Sequence, residues 1–202
     1  MNRFCILFLL ILFSPVVLIG CGGTELDGRG IVTSLEVTKN NGLWKVQSEI
    51  VRFSDTETIP GQETELLTGQ GLSLTAAMQQ LNKIEGTPLY LGHLRLFLLN
   101  QSLLTHGNDT DLSELNDFFL QNREVRFQTL LAVSSAPFGN TLDSESIPGG
   151  NHGIDLSRQL RRTNYKTEIR DFINWREACA PPPSFARIEL LFSENRQISY
   201  VG

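Results

Sequence analysis

The run Leu89-Tyr90-Leu91-Gly92-His93-Leu94-Arg95-Leu96-Phe97-Leu98-Leu99 decides the fold, because it is a dense apolar segment with few polar interruptions. Pro88 and Asn100 bound it, and it is too short to cross a bilayer as a helix. An apolar run of this length between such residues is typical of a strand that is buried on both faces. The sequence therefore predicts a buried central strand over residues 89–99.

A β-hairpin is predicted ahead of this strand. Residues 31–38 alternate between two faces, and Asn41-Gly42 can take the positive φ angles of a tight turn. Residues 43–53 then continue as a second strand that carries Trp44 and further apolar residues. The two strands are expected to pair in antiparallel fashion.

The segment between the hairpin and the central strand divides into a loop and a helix. Residues 54–71 are rich in Thr, Glu and Gly and contain Pro60-Gly61, which predicts an exposed loop. Ser73 can cap a helix in which apolar residues recur at helical spacing, and this helix is expected to end near Gly86.

The region after the central strand predicts several helices and one more strand. In chain order these are a helix that Asp111 and Glu114 open as a capping box, a strand over residues 125–133, a loop over 136–153, and helices over about 154–162 and 165–177. The pattern indicates an α+β fold, in which an N-terminal β-hairpin and a mixed sheet pack against several helices.

Ala180-Pro181-Pro182-Pro183 is the clearest boundary in the chain, since consecutive prolines favour a stiff extended spacer. Strands predicted over residues 186–192 and 197–201 follow it and have no evident partner in the sequence. We therefore expect residues 21–180 to form the main region, and residues 181–202 to be a linker and the truncated start of a C-terminal domain.

The N-terminus has the organisation of a bacterial lipoprotein signal peptide. Arg3 supplies a positive charge, an apolar run follows, and Leu18-Ile19-Gly20-Cys21 ends with a cysteine after a small residue. We expect removal of residues 1–20 and lipidation of Cys21, with palmitate among the acyl chains. The chain would then be held at the extracytoplasmic face of a membrane.

A transmembrane anchor that is never cleaved is the alternative interpretation of this N-terminus. Residues 4–19 approach the length needed to cross a bilayer, but the run is short and Pro15 interrupts it. The lipoprotein interpretation is therefore favoured.

Charge and cysteine content exclude several classes of protein. The formal net charge of −5 disfavours general nucleic-acid binding, because no basic excess exists to neutralise phosphates. Cys5 lies in the signal peptide and Cys21 would carry lipid, which leaves Cys179 alone. A disulfide framework or a cysteine-based metal site is therefore not expected.

We predict no catalytic residue, no metal and no cofactor, and hence a protein that is not an enzyme. The chain lacks the Gly-x-Ser-x-Gly, His-Glu-x-x-His and Walker-type motifs. His93 is interpreted as a structural histidine, because no other ligand or catalytic partner lies near it in sequence. His106 and His152 are predicted to be solvated in polar loops.

Four basic residues form a candidate contact surface. Arg158, Arg161, Arg162 and Lys166 lie at i, i+3, i+4 and i+8, so they share one face if the last two helices are nearly continuous. This face is either a solvated helix surface or a contact for anionic lipid headgroups or an acidic partner.

Three stretches of the chain resemble the Ger(x)C lipoprotein family, the C subunit of bacterial spore germinant receptors. They are Glu25-Leu26-Asp27 with Gly30-Ile31-Val32, the central run over residues 89–99, and residues 117–133, in the order and spacing of the family. The chain departs from the family at Gly22, where a tryptophan is common, and at Ser34-Leu35-Glu36, where Gly-Ile-Asp is frequent.

The resemblance implies a lipoprotein of the spore inner membrane that assembles with integral-membrane subunits of the A and B type. It implies a role in the response to nutrient germinants, with no catalytic residue and no cofactor. The residues alone leave two alternatives open. One is a stand-alone extracytoplasmic lipoprotein that binds a small ligand or a cell-wall component. The other, a surface hydrolase, is least favoured because no nucleophile–base pair or metal set is visible.

Overall fold

The computed structural model of the chain describes residues 29–53, 62–135, 137–142, 151–164, 166–178, 180–189 and 197–200. Within these ranges, eight strands belong to one mixed sheet. The strands are β1 (Ile31–Asn40), β2 (Leu43–Phe53), β3 (Gln62–Gly71), β4 (Leu96–Asn100), β5 (Leu130–Ser134), β6 (Thr167–Glu168), β7 (Ala186–Glu189) and β8 (Gln197–Tyr200). Residues 1–28, which include the predicted signal peptide and Cys21, lie outside the described residues.

Five helices lie within the same ranges. They are α1 (Leu74–Glu85), α2 (Gln101–His106), α3 (Asp109–Gln121), α4 (His152–Arg161) and α5 (Ile169–Ala178). Together with the mixed sheet, they confirm the predicted α+β fold.

The strand order is β3-β2-β1-β4-β5-β7-β8, and β6 pairs with β5 beside this path. β1, β2 and β3 are antiparallel neighbours, whereas β4 lies parallel to β1 and to β5. The predicted hairpin is confirmed, and its turn has positive φ at Asn41 (51°) and Gly42 (76°).

Strand β4 lies at the centre of the sheet, and all five of its residues are buried. Phe97 and Leu99 join the main hydrophobic core with the apolar faces of α1, α3 and α5. Leu96 and Leu98 join a second cluster on the opposite face, with Leu142 and apolar residues of α4. Helices therefore cover both faces of the sheet, as the apolar run predicts.

The first half of that run is not a strand, which corrects the prediction of one strand over residues 89–99. Tyr90 makes an isolated bridge to Ile31, and the chain then turns, with the Leu94 amide donating to the Leu91 carbonyl at 3.0 Å. The side chains of this segment are still apolar because they pack into the core beside the turn. Apolar content alone does not separate such a segment from a strand.

The predicted loop over residues 54–71 is wrong in its second part, since Gln62–Gly71 forms β3 at the edge of the sheet. Thr68 and Gln70 are exposed on one face of β3, while Leu67 and Gly69 on the other face are buried against α1. An edge strand tolerates Thr, Glu and Gln on the face that meets solvent, so its sequence resembles a loop.

The strand predicted over residues 125–133 is shorter than expected and runs only from Leu130 to Ser134. The preceding residues form turns, in which the Val125 amide donates to Asn122 and the Thr129 amide to Arg126. Phe127, placed in the strand by its alternating pattern, is 46% exposed.

The cap of helix α1 agrees with the sequence prediction, whereas the cap of helix α3 differs from it. Ser73 caps α1 and Gly86 ends it with φ of 80°, as predicted. Helix α3 begins earlier than predicted, because Asn108 and Asp111 form its capping box. Glu114 instead accepts hydrogen bonds from the Trp44 indole and the Leu74 amide, both at 2.7 Å, and ties α3 to β2 and α1.

The strands after the prolines do have partners. β7 pairs in parallel with β5, and β8 pairs with β7, so both extend the same sheet. The division of the chain near residue 180 into two domains stays a prediction.

Replacing Gly69 with alanine is expected to destabilise the fold, because α1 lies directly over this position. A Cβ atom there would lie 2.5 Å from the Ala77 carbonyl oxygen and 2.9 Å from Leu81 Cγ. Overpacking of this kind lowers the free energy of unfolding by about 1–3 kcal/mol. Urea unfolding of Gly69→Ala measures the change, and Thr68→Ala on the exposed side of β3 is the control. Equal urea midpoints for Gly69→Ala and the unmodified protein would contradict this packing.

Candidate functional site: a buried polar layer and two clefts

The sheet carries a layer of buried polar side chains on the face opposite the main core. β1 and β2 each place a glutamate in this layer, and both Glu36 and Glu49 are fully buried. Helix α4 and the segment over residues 137–142 cover them. Buried carboxylates are rare unless their oxygens have hydrogen-bond donors, and both of these glutamates have such donors.

Glu49 binds two hydroxyl groups from β1. The Thr33 and Ser34 hydroxyls both donate to Glu49 Oε2 at 2.8 Å. These two residues are neighbours in sequence, yet both side chains reach the same carboxylate because a bulge interrupts the pairing between Val32 and Ser34. The bulge therefore re-aims β1 side chains towards Glu49.

Glu49 also binds the N-terminus of α4. The Gly153 amide donates to Glu49 Oε2 at 3.0 Å, and Asn151 caps the helix by accepting from the Ile154 amide. A carboxylate at this end of a helix satisfies an unpaired amide and interacts favourably with the helix dipole. Glu49 thus fixes α4 on the sheet.

Gly153 is the residue that allows this approach. A Cβ atom at this position would overlap the Ser34 side chain and would lie 2.6 Å from Glu49 Oε2. Only glycine can bring the α4 backbone this close to β1 and β2.

Glu36 accepts hydrogen bonds from the end of β4 and from the segment over residues 137–142. Asn100 Nδ2 donates to Glu36 Oε1 at 3.2 Å, and the Gly139 amide donates to Oε2 at 3.2 Å. Burial raises the pKa of the Glu36 carboxyl to about 7, and the hydrogen bonds from Asn100, Gly139 and Ser134 only partly oppose this rise. Glu36 therefore changes its protonation near neutral pH inside the fold.

A polar cleft opens beside this layer, with a volume of about 370 Å³. Its walls come from β2, β3, α1 and the segment over residues 137–142, and they include Lys45, Gln47, Gln70, Gln80 and Asn140. The Gln47 side-chain oxygen is buried and has no hydrogen-bond partner among the described residues. The cleft has the size of a small-molecule site and offers both donors and acceptors.

A second, smaller cleft of about 140 Å³ is strongly basic. Arg95, Arg126 and Arg161 line it, with His93 and Gln128 beside them. All three arginine side chains are exposed to solvent. This arginine cleft can bind an anionic group.

The predicted basic face is only partly assembled. Arg158, Arg161, Arg162 and Lys166 are all exposed, but α4 ends at Arg161 and β6 separates it from α5. The two helices are not continuous, so the four residues do not form one helix face. Their contact with lipid or a partner stays a prediction, as does lipidation of Cys21.

The structure gives the three histidines different environments. His93 is exposed, and its ring meets the Tyr90 ring edge-on with centroids 5.6 Å apart. His106 is exposed, as predicted, but it is the last residue of helix α2 and does not lie in a loop. His152 is 7% exposed, which corrects the prediction of a solvated loop residue, because it is the first residue of α4 and lies against the sheet.

Within the described residues, no group of three or more His, Cys, Asp and Glu side chains is arranged to hold a metal ion. Across that same portion of the chain, no helix has both the length and the apolar character required to cross a membrane.

Sequence reasoning missed the buried glutamates and the arginine cleft. Alternation along β1 places Ser34 and Glu36 on one face, but the pattern indicates solvent, since polar strand faces are usually exposed. The three arginines lie in different parts of the chain, at positions 95, 126 and 161. Arg95 and Arg126 each precede one of two parallel neighbouring strands, β4 and β5. This placement was the one sequence signal that the two side chains lie at the same edge of the sheet.

The sequence profile of a family described as "Spore germination protein N-terminal domain" matches residues 22–177. No curated protein and no solved structure shows significant similarity to the chain. Because the profile covers more than half of the chain, the chain belongs to this spore germination family. The resemblance noted in the sequence is confirmed at this level.

Stability should fall as pH rises from about 5 to 8, in part because of Glu36. Its raised pKa means that the folded state keeps a proton between about 4.5 and 7 that the unfolded chain has already released. The free energy of unfolding therefore decreases across this window, by roughly 3 kcal/mol, and levels off above it. Glu36→Gln should remove this part of the pH dependence.

Urea unfolding at pH 5, 6, 7 and 8 measures the effect, with Asp117→Asn as an exposed control. Glu36→Gln should gain stability relative to the unmodified protein as pH rises. Parallel stability profiles for the two proteins would show that Glu36 does not titrate in this range.

Glu49→Ala should loosen α4, because it leaves the Ser34 hydroxyl and the Gly153 amide without their carboxylate acceptor. Loss of a buried, multiply bonded carboxylate is expected to lower the free energy of unfolding by about 3 kcal/mol. Hydrogen exchange should accelerate in α4 more than in α1. Glu65→Ala removes an exposed partner of Arg52 and is the control. Unchanged exchange in α4 would contradict the role of Glu49.

Proposed function

We propose that this member of the spore germination family is the lipid-anchored, non-catalytic C-type subunit of a nutrient germinant receptor. In this role it lies at the extracytoplasmic face of the spore inner membrane and assembles with integral-membrane subunits of the A and B type. The observation that carries the proposal is the family match over residues 22–177.

The N-terminal sequence supports the lipid anchor. The family match begins at Gly22, directly after the cysteine of the cleavage box Leu18-Ile19-Gly20-Cys21. A lipidated Cys21 would thus be followed at once by the family region, which agrees with a domain held close to the membrane surface.

The buried polar layer supports a non-catalytic role. Glu36 and Glu49 are fully buried, and their oxygens bind Asn100, hydroxyls of β1 and backbone amides of the covering segments. A general acid or base must reach a proton of its substrate. These carboxyl groups instead hold α4 and the segment over residues 137–142 against the sheet.

One observation favours the alternative of a stand-alone lipoprotein that binds a small ligand. The polar cleft of about 370 Å³ presents several amide side chains, among them the Gln47 oxygen that has no hydrogen-bond partner in the described part of the chain. Such a cleft suits a small polar molecule or a wall component. Tight binding of a nutrient by the purified chain, without membrane subunits, would favour this alternative.

A deletion strain complemented with variants tests the receptor role. Loss of the chain should abolish or strongly slow nutrient-triggered germination, and the unmodified gene should restore it. Cys21→Ala should restore it poorly, because the domain loses its membrane tether, whereas Cys179→Ala should restore it fully. The fall in optical density of a spore suspension after nutrient addition measures the rate.

Two outcomes would contradict the proposal. A deletion strain that germinates at the normal rate with every nutrient would exclude the receptor role. An intact mass that still includes residues 1–20 would exclude the lipoprotein role independently of the germination result.

A further inference from the structure

The arginine cleft is built by three separate segments. Arg95 lies just before β4, Arg126 lies in the turn before β5, and Arg161 is the last residue of α4. Packing of α4 across the sheet brings Arg161 to the other two. The cleft therefore exists only in the folded chain.

Backbone hydrogen bonds hold the first two segments together. The Leu130 amide donates to the Arg95 carbonyl at 3.2 Å, and the Thr129 hydroxyl donates to the Leu94 carbonyl at 3.1 Å. The Thr129 amide closes the turn by donating to the Arg126 carbonyl at 2.9 Å. The stems of Arg95 and Arg126 thus start from a fixed frame, which lowers the ordering cost of binding.

The three guanidinium groups have no acidic partners within the described parts of the chain. Arg52, Arg158, Arg170 and Arg176 each pair with a carboxylate there, whereas Arg95, Arg126 and Arg161 do not. The chain as a whole is acidic, with a net charge of −5. Three like charges that have no acidic partner among the described residues repel one another around one cleft, and a bound anion would relieve this repulsion.

We propose that the arginine cleft binds a single phosphoryl group. Guanidinium groups match phosphate oxygens with paired N–H donors, and Gln128 adds a neutral donor at the same site. The volume of about 140 Å³ is below that of typical small-molecule sites, so the cleft accepts one anionic group rather than a whole nucleotide.

The phosphoryl group can come from a soluble phosphate compound or from a lipid headgroup, and the chemistry of recognition is the same. Phosphoryl binding by the arginine cleft does not depend on the receptor role. It concerns residues of three segments, of which only Arg161 belongs to the basic face predicted from sequence.

Isothermal titration of the full chain with inorganic phosphate and with glycerol phosphate tests the first source. Arg126→Gln and Arg161→Gln should each weaken binding by about tenfold, since each removes a charge-assisted contact. Arg126→Lys should lose part of the affinity because it keeps the charge but not the planar pair of donors. Arg158→Gln removes the same charge from the exposed side of α4 and should change affinity by less than about twofold.

Flotation with vesicles tests the second source. Binding of the full chain to phosphatidylcholine vesicles sets the baseline, since the apolar N-terminal segment contributes there. The added binding to vesicles that contain phosphatidylglycerol should fall in Arg126→Gln and Arg161→Gln but not in Arg158→Gln.

If Arg126→Gln and Arg161→Gln lose phosphate binding while Arg158→Gln keeps it, the ligand is a soluble phosphate compound. If these two variants lose only the preference for phosphatidylglycerol vesicles, the ligand is a lipid headgroup. Equal effects of Arg158→Gln and the cleft variants would overturn the proposal. Absence of both phosphate binding and the preference for phosphatidylglycerol would overturn it as well.

Discussion

Burial of the central strand β4 on both faces is the constraint on which the rest of the structure depends. Phe97 and Leu99 require apolar helices on one side, and Leu96 and Leu98 require cover on the other. A strand with no face for solvent can be satisfied only by a layer on each side of the sheet. The helices α1, α3 and α5 supply one layer, and α4 with the segment over residues 137–142 supplies the other.

The second layer differs in chemistry from the first. Apolar residues hold the β5 side of α4, whereas the β1 and β2 side presents carboxylates and hydroxyls. Glu49 and Gly153 join the start of α4 to the sheet. Because the helix is a rigid rod, this contact also constrains the position of its far end. Arg161 lies at that end, so a buried carboxylate at one end of α4 positions a cationic side chain of the arginine cleft at the other. A buried polar contact whose groups are all hydrogen-bonded rigidifies the core and helps to specify one placement of the helix.

The sequence predicted turns and helix ends correctly where backbone preferences of a few neighbouring residues determine them. The Asn41-Gly42 turn, the Ser73 cap and the Gly86 stop are determined by backbone preferences within a few residues, and all three appear where the sequence places them. β3 was missed because an edge strand with polar residues on its open face resembles a loop. The turns over residues 89–95 and 125–129 resemble strands in sequence for different reasons. Leu91 and Leu94 reach the core without a ladder of hydrogen bonds, whereas Phe127 fits the alternation of a strand but is exposed.

The sequence by itself determined the α+β class, the opening hairpin, the central apolar strand and the family, because periodicity, turn residues and local motifs carry that information. Only the tertiary structure decided that Glu36 and Glu49 are buried, that Gly153 must be glycine, and that three distant arginines share a cleft. The physical reason is that burial and charge proximity depend on which segments the fold brings together. A polar residue on a sheet face is solvated where that face is open to water, and it is buried where a helix covers the face. The local sequence is the same in both cases, so no local preference distinguishes a solvated residue from a buried one.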